Sequence, residues 1–316
     1  MSRPLYVNDH DDGTGALSAE FHALRPRLIG VAYGLLGSVD EAEDVVQDAW
    51  LRLRAATAGD GDEGAPEKIG DVTAWLVVTV SRLALDVLRS ARHRREEYVG
   101  PWLPEPILAD PALTVPDPAD RVTLDESMSM AMLVVMESLS PAERTAFVLH
   151  DVFGLPFTQV GEVVGRSPAA CRQLAARARA HLASRAPRFD VDPAEHRRVV
   201  SAFARASVGD DLGALLALLD PDVVMRSDGG GVVTAARRPV HGALKVARLL
   251  LGIRRFGTSR MVPATVNGRP GLLRYRGDDR LTAVIGLTVA GGRITAIDMI
   301  VNPDKLAKVS CQEHAR

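Results

Sequence analysis

The sequence is poor in cysteine: Cys171 and Cys311 are the only two in 316 residues. Two cysteines so far apart supply neither a disulfide framework nor a metal-ligand spacing. Nor is there any run of about 18 or more apolar residues, the minimum for a membrane-crossing helix. The opening, MSRPLYVNDHDDGTG, lacks the apolar core of a signal peptide. These absences predict a cytoplasmic chain with no membrane partner. Charge imbalance is also missing, since the formal net charge is −2, so total charge does not announce nucleic acid. No internal repeat is visible.

What is present is apolar content of 47% over 316 residues, enough for two or three packed domains. The charges are unevenly distributed. Arg166, Arg172, Arg177, Arg179, Arg185 and Arg188 follow one another without an acid, as do Arg89, Arg92, Arg94 and Arg95. Asp40, Glu41, Glu43, Asp44 and Asp48 cluster elsewhere. Separate basic and acidic faces imply two kinds of partner.

Residues 17–96 read as helices. In SVDEAEDVVQDAWLRLR, Ser38 and Glu41 form a capping-box start, and Ala42, Val45, Val46, Ala49, Trp50 and Leu53 recur at helical spacing. A second long helix runs from Asp71 to Tyr98, apolar first and basic last. Residues 99–120 are crowded with prolines, which remove backbone donors and disfavour helix in the preceding residue; they read as a semi-rigid linker. Helices resume over about 121–186. After the break PRFDVDP, Asp192, Pro193 and Glu195 start another helix. Helical segments at 194–207 and 211–219 then precede the short runs VVMRS, GLLRYR, LTAVIGLTV and ITAIDMIV. Gly291-Gly292 reads as a hairpin turn. The last part is therefore expected to be an α+β domain with a mostly antiparallel sheet.

The sharpest local pattern lies between Leu139 and Leu182. Ser140, Pro141 and Glu143 cap one helix, Phe157 to Val164 is short and amphipathic, Gly165 supplies a turn, and Ser167-Pro168 starts a helix with the apolar stripe Cys171, Leu174, Ala175, Ala178 and Leu182. This is the helix-turn-helix pattern. Its second helix would enter the major groove with its N-terminal part, leaving Ser167, Ala169, Arg172, Gln173, Ala176 and Arg177 to face DNA. Arg172 suits a guanine edge or a phosphate, and Gln173 suits adenine. Taken alone, an ordinary helical hairpin with a solvated basic face has the same pattern. Cys171, on the packed face, reads as a small buried hydrophobe.

FHALRPRLIGVAYGLLGSVDEAEDVVQDAWLRLR followed by DVTAWLVVTVSRLALDVLRSARHRR resembles the second conserved region of bacterial sigma factors, and the helix-turn-helix resembles their fourth. The order and the short connection resemble the extracytoplasmic-function group, over about residues 17–185. The resemblance implies core RNA polymerase and promoter DNA as partners. It implies that Asp40, Glu41, Asp44, Gln47 and Asp48 present the acidic face that docks on polymerase. It implies that Trp75, Arg82, Arg89, Arg92, Arg94 and Arg95 serve the opened −10 element, although Trp75 precedes an apolar stretch that suits a core role. Arg82 stands where many family members have Asn. The helix at 168–183 would read the −35 element.

The stretch RSDGGGVVTAAR at 226–237 raises the prospect of a phosphate cradle. It lacks both the strand–glycine–helix setting and the lysine of a P-loop. One subgroup of these sigma factors carries an extra domain that resembles the SnoaL-like, NTF2-type cone. The motifs that match are Trp102-Leu103-Pro104-Glu105-Pro106, Asp228-Gly229-Gly230-Gly231 and Asn302-Pro303-Asp304-Lys305-Leu306. Val232 departs from the lysine common in relatives. The resemblance implies regulation in cis, with the glycine loop and the NPDKL tail touching the strap that contains Trp102 or the first domain.

The expected fold class is thus multidomain. Two all-α units, the region-two bundle at 17–98 and the region-four helix-turn-helix at 121–187, are joined by the linker at 99–120 and followed by an α+β cone at 193–306. A small-molecule ligand or a protein regulator would act on the cone. Asp298 and His241 are the candidates for chemistry there, but no paired acid and base can be read, so no enzyme activity, metal or cofactor is expected. The competing readings are a one-component DNA-binding regulator with a sensor domain, and a cone-fold enzyme tethered to a DNA-binding region.

Overall fold

A computed structural model describes residues 12–57, 69–96, 98–108, 128–185, 192–209, 211–254 and 259–314. Three helices open the chain: α1 (Asp12–Leu36), α2 (Val39–Thr57) and α3 (Val72–Glu96). The helical spacing in α2 is realised, with Ala42, Val45, Val46, Ala49 and Leu53 buried. Trp50 is half-buried and stacks on Phe21, ring centroids 4.6 Å apart. Asp71 caps α3, its carboxylate accepting the Ala74 N–H at 2.9 Å.

The second helical unit holds α4 (Met130–Met136), α5 (Pro141–Phe147), a π-helical turn (Val148–Val152), α6 (Phe157–Val164) and α7 (Pro168–Arg185). The capping box at Ser140 and Glu143 is complete. Gly165 ends α6 in the left-handed region at φ 72°, where a side chain would be strained. The π-turn has no sequence signature and was not expected.

Although a linker separates the two helical units in sequence, they share one hydrophobic core, in which Leu28, Leu35 and Leu76 join Leu133, Val148 and Val160. Arg144, 1% exposed, crosses the seam. Its Nε donates to the Gly34 carbonyl at 3.2 Å, and its guanidinium pairs with Glu137.

The C-terminal unit runs α8 (Pro193–Gly209), α9 (Leu212–Leu218), β1 (Leu219–Asp228), β2 (Val240–His241), α10 (Ala243–Arg254), β3 (Ser259–Val266), β4 (Arg269–Arg276), β5 (Leu281–Ala290), β6 (Arg293–Ile300) and α11 (Pro303–His314). The six strands are ordered β2-β1-β6-β5-β4-β3. All neighbours are antiparallel except β1 and β6. The glycine hairpin is present, with Gly291 at φ 55° and Gly292 at φ 73°. Helix α10 and strand β3 were not among the expected elements. Pro263 weakens the strand signal of β3, and the sheet tolerates it because β3 lies at an edge.

Both faces of this sheet are covered. Ile285, Leu287, Ile297 and Met299 pack with Val199, Phe203, Leu215 and Val246 from α8–α10. Val284 and Ile300, which alternate to the other face, pack with Leu103, Met130, Leu306 and Val309. That is why LTAVIGLTV is a near-continuous apolar run rather than an alternating one. Residues 98–108 cross this outer face as an extended strap, and Leu108 forms a single antiparallel bridge with Val266.

Candidate nucleic-acid interface and the joint behind it

Ser167, Ala169, Arg172, Gln173, Ala176 and Arg177 all stand exposed on the start and outer face of α7. The opposite stripe, Cys171, Leu174, Ala175, Ala178 and Leu182, is buried. Burial pushes the Cys171 thiol up, with Arg166 acting the other way, so the sulfur is held as an unreactive thiol. Arg177 is oriented by Glu143 at 2.8 Å and Arg179 by Asp151 at 2.8 Å. Burial would raise the Glu143 carboxyl, but hydrogen bonds from Ser140 and Arg177 hold it below its ordinary range. Arg172 lies 5.5 Å from the centre of the Phe157 ring, a soft contact that, among the described residues, leaves its fork open to an acceptor.

On α2, Asp40, Asp44, Gln47 and Asp48 are exposed, while Glu41 is half-buried. On α3, Trp75 is half-buried against the shared core. Arg89 is exposed and bonded to Asp86 at 3.1 Å. Arg92, Arg94 and Arg95 occupy the last turns of α3; their side chains lie outside the described residues. Arg82 does not face an open surface alone: its Nη2 donates to the Glu162 carbonyl on α6 at 3.0 Å.

The strap is where the motifs containing Trp102, Asp228 and Asn302 meet. Asp228, at the end of β1, is fully buried and saturated. Its Oδ1 accepts the Tyr98 hydroxyl at 2.5 Å and the Gly230 N–H at 3.1 Å. Its Oδ2 accepts the Leu103 N–H at 2.9 Å and the Lys305 ammonium at 2.8 Å. Lys305 also donates to the Leu103 carbonyl and sits 4.2 Å from the Trp102 ring centre. Burial, with Asp228 beside it, pushes the Tyr98 hydroxyl well above its ordinary range. Asn302 donates to Tyr98 Oη at 3.1 Å, and its Oδ1 caps α11 through the Asp304 N–H at 3.0 Å.

A Cβ on Gly230, which lies at φ 66°, would come within 2.7 Å of the Asn302 side chain. Gly231 faces Val99, and Gly229 packs against Val233 and Ala235. Leu306 is buried on the outer sheet face, whereas Pro303, Asp304 and Val232 are exposed.

Further along the strap, Pro104 is buried and Glu105 binds the start of α2. Glu105 accepts the Val39 N–H at 2.7 Å and the Ser38 hydroxyl at 3.0 Å. A carboxylate suits a helix N-terminus, where free N–H groups and the helix dipole converge. Ser38 in turn accepts the Glu41 N–H at 3.4 Å. Lys308 on α11 bridges Glu105 at 2.8 Å and Asp40 at 2.6 Å. Burial alone would lower the Lys308 ammonium, but the two carboxylates hold it above its ordinary value.

Tyr33, Tyr98, Asn267, Lys308 and Arg144 belong to this joint or its seam and were not among the expected residues. Tyr33 donates to the Glu105 carbonyl at 2.7 Å and accepts from Asn267 at 2.6 Å. Asn267-Gly268 between two apolar runs was an available hairpin signal. Nothing local marks the others.

The candidates for chemistry do not come together. Asp298 is paired with Arg226 at 3.0 Å on the outer sheet face, and burial raises its carboxyl against the pull of that arginine. His241 stands exposed on β2 at the sheet edge.

Residues 21–94 match the family model for Sigma-70 region 2, and residues 129–182 match that for Sigma-70, region 4. The ECF RNA polymerase sigma factor SigJ of Mycobacterium tuberculosis is 43% identical over 304 residues, covering 91% of this chain and 92% of that protein. The chain belongs to the ECF RNA polymerase sigma factors. SigI of the same species, named as a probable member, is 38% identical over 305 residues, covering 95% of this sigma factor and 97% of SigI. The crystal structure of SigJ superposes with a TM-score of 0.71 at 39% identity, covering 92% of this sigma factor and 98% of SigJ. The similarity thus extends past both helical units into the α+β cone. Among the described residues, no helix is long and apolar enough to cross a membrane.

Proposed function

We propose that this sigma factor brings core RNA polymerase to promoters from the cytoplasm, reads −35 with α7, opens −10 with α3, and is restrained in cis by its C-terminal domain without catalysing a reaction. In this reading Arg172 and Gln173 contact base edges, with Ser167, Ala169, Ala176 and Arg177 beside them. The α2 face at Asp40, Glu41, Asp44, Gln47 and Asp48 docks on polymerase. Trp75 and the arginines of α3 from Arg82 to Arg95 hold the −10 strand, recovering by stacking and phosphate contacts the cost of unstacking bases.

The observation that carries the restraint is the contact of α3 with α6 at Arg82 and Glu162. The two promoter elements are centred about 25 base pairs apart, roughly 85 Å of duplex at about 3.4 Å per base pair. Arg95 lies about 20 Å along α3 from Arg82 at about 1.5 Å per residue. From Glu162 to Arg172 even an extended chain reaches only about 35 Å. With α3 and α6 in contact, the two readers cannot occupy both elements, so the helical units must separate on the promoter.

The C-terminal domain favours the closed arrangement because it contacts both helical units: Lys308 and Glu105 hold the start of α2, and Met130 of α4 packs on the outer sheet face. A cis domain shifts such an equilibrium only through this kind of differential contact. A small-molecule ligand or a protein regulator of the cone would act by changing the same balance.

The test is reconstitution with core polymerase. The full chain should support promoter-dependent run-off transcription, and a chain ending before Asn302 should show altered output. No run-off with polymerase, together with tight operator binding by the chain alone, overturns the sigma reading. Unchanged output on removing residues from Asn302 onward overturns the restraint.

A further inference from the structure

From Gly229 to Gly277 the chain contains ten Lys and Arg and no Asp or Glu, although the whole protein carries a net charge of −2. Four of these side chains lie close in sequence and stand exposed: Arg237 and Arg238 in the loop after the glycines, and Lys245 and Arg248 on the first turns of α10. His241, also exposed, lies between them. Lys245 and Arg248 are three apart and so share a helix face. None of the four cations has an ion-pair partner among the described residues. This contrasts with Lys305 and Lys308, whose charges are consumed within the joint.

The segment adjoins the basic end of α3. A Cβ on Gly100, four residues past that helix, would lie 3.7 Å from Arg237 Cα, and Tyr98 is bonded to Asp228 at 2.5 Å. The loop carrying Arg237 and Arg238 is therefore seated where α3 ends, beyond Arg89 and the Arg92–Arg95 run.

We propose that Arg237, Arg238, Lys245 and Arg248 form a third DNA-contacting surface of this protein, one that binds the phosphate backbone of promoter duplex beside the segment engaged by α3. The proposal rests on the sigma reading for which DNA is bound. Clustered like charges with no ion-pair partner among the described residues fit a polyanion, and phosphate contacts give affinity without sequence information. The cone would then do more than restrain the helices: it would add salt-dependent grip on the same DNA.

The experiment measures binding to a mixed-sequence duplex at several salt concentrations, by fluorescence anisotropy, for the full chain alone and for its complex with core polymerase. Arg237→Gln, Arg238→Gln, Lys245→Gln and Arg248→Gln combined should make the plot of log affinity against log salt shallower by about 0.9 for each phosphate lost, so by roughly 2 to 4. The charge-preserving set Arg237→Lys, Arg238→Lys and Arg248→Lys should keep the wild-type slope. A slope unchanged by the four glutamines in both preparations overturns the proposal. So does a variant that binds DNA normally but loses core polymerase, since the surface would then serve a protein. Because the duplex is of mixed sequence, this readout stands apart from promoter-specific run-off: loss of run-off in the wild type overturns the sigma reading and leaves the slope comparison to decide the surface.

Discussion

Arg172 and Asp228 each sit at the centre of a candidate site, and their surroundings are opposite. Arg172 stands in solvent on α7, 5.5 Å from the centre of the Phe157 ring. Asp228 is fully buried, with both oxygens doubly bonded by strap, loop and Lys305. A charge in water costs the fold little and is free to choose a partner. A buried charge is tolerable only when every bond is made, and removing one partner then costs more than the pair contributes. The difference teaches where mutation should strike stability and where it should strike DNA recognition.

The largest effect should come from Asp228→Ala. It leaves Lys305, 7% exposed at its side chain, without its carboxylate, and urea denaturation of the full chain should show a loss of about 3–5 kcal/mol. Adding Lys305→Met should restore most of it, because no uncompensated charge then remains. A single-mutant loss below about 1 kcal/mol would break the comparison, since a pair of that worth is a solvated one.

Next comes Arg172→Ala, with stability held within about 0.5 kcal/mol, as for an exposed site. Competition binding with variant −35 elements should lose about 1–3 kcal/mol of discrimination if the contact is bidentate to a base. Equal weakening on every sequence would reassign Arg172 to a phosphate.

Lys308→Ala sharpens the middle ground. Lys308 and Asp40 are 34% and 61% exposed at their side chains, so a double-mutant cycle should give only about 0.2–1 kcal/mol, shrinking in high salt.

The smallest effect is a slope. His196 Nε2–H donates to the Leu287 carbonyl at 3.0 Å, and burial holds its pKa below the ordinary value. The unfolded chain takes up this proton near pH 6.5 and the folded chain only at lower pH. Stability is therefore whole above that value and falls as pH drops through the folded pKa. Thermal melts between about pH 7 and pH 5 should show a flatter dependence in His196→Gln than in the wild type.

Much of the DNA-reading element was legible without coordinates. The apolar stripe of α7, the cap at Ser140 and the turn at Gly165 are local patterns, and a helix obeys them wherever it lies. The end-to-end order of the three units was legible for the same reason. The acidic face of α2 was legible as well, although Lys308 lies across its first turn. Helix α10 and strand β3 were harder: the first sits in a basic stretch between two runs of short strands, and the second contains Pro263.

The sequence by itself determined the helix-turn-helix, the strand runs and the residues that α7 shows to solvent, because periodicity and capping act over a few residues. Only the tertiary structure decided that Asp228 meets Lys305, 77 residues away, and Leu103, 125 residues away. It alone decided that Glu105 caps α2 across 66 residues, and that the two helical units share one core. Asp, Lys and Glu look like surface residues in a sequence, since burying them is unfavourable. What makes their burial tolerable is a set of partners that only the folded chain brings within bonding distance.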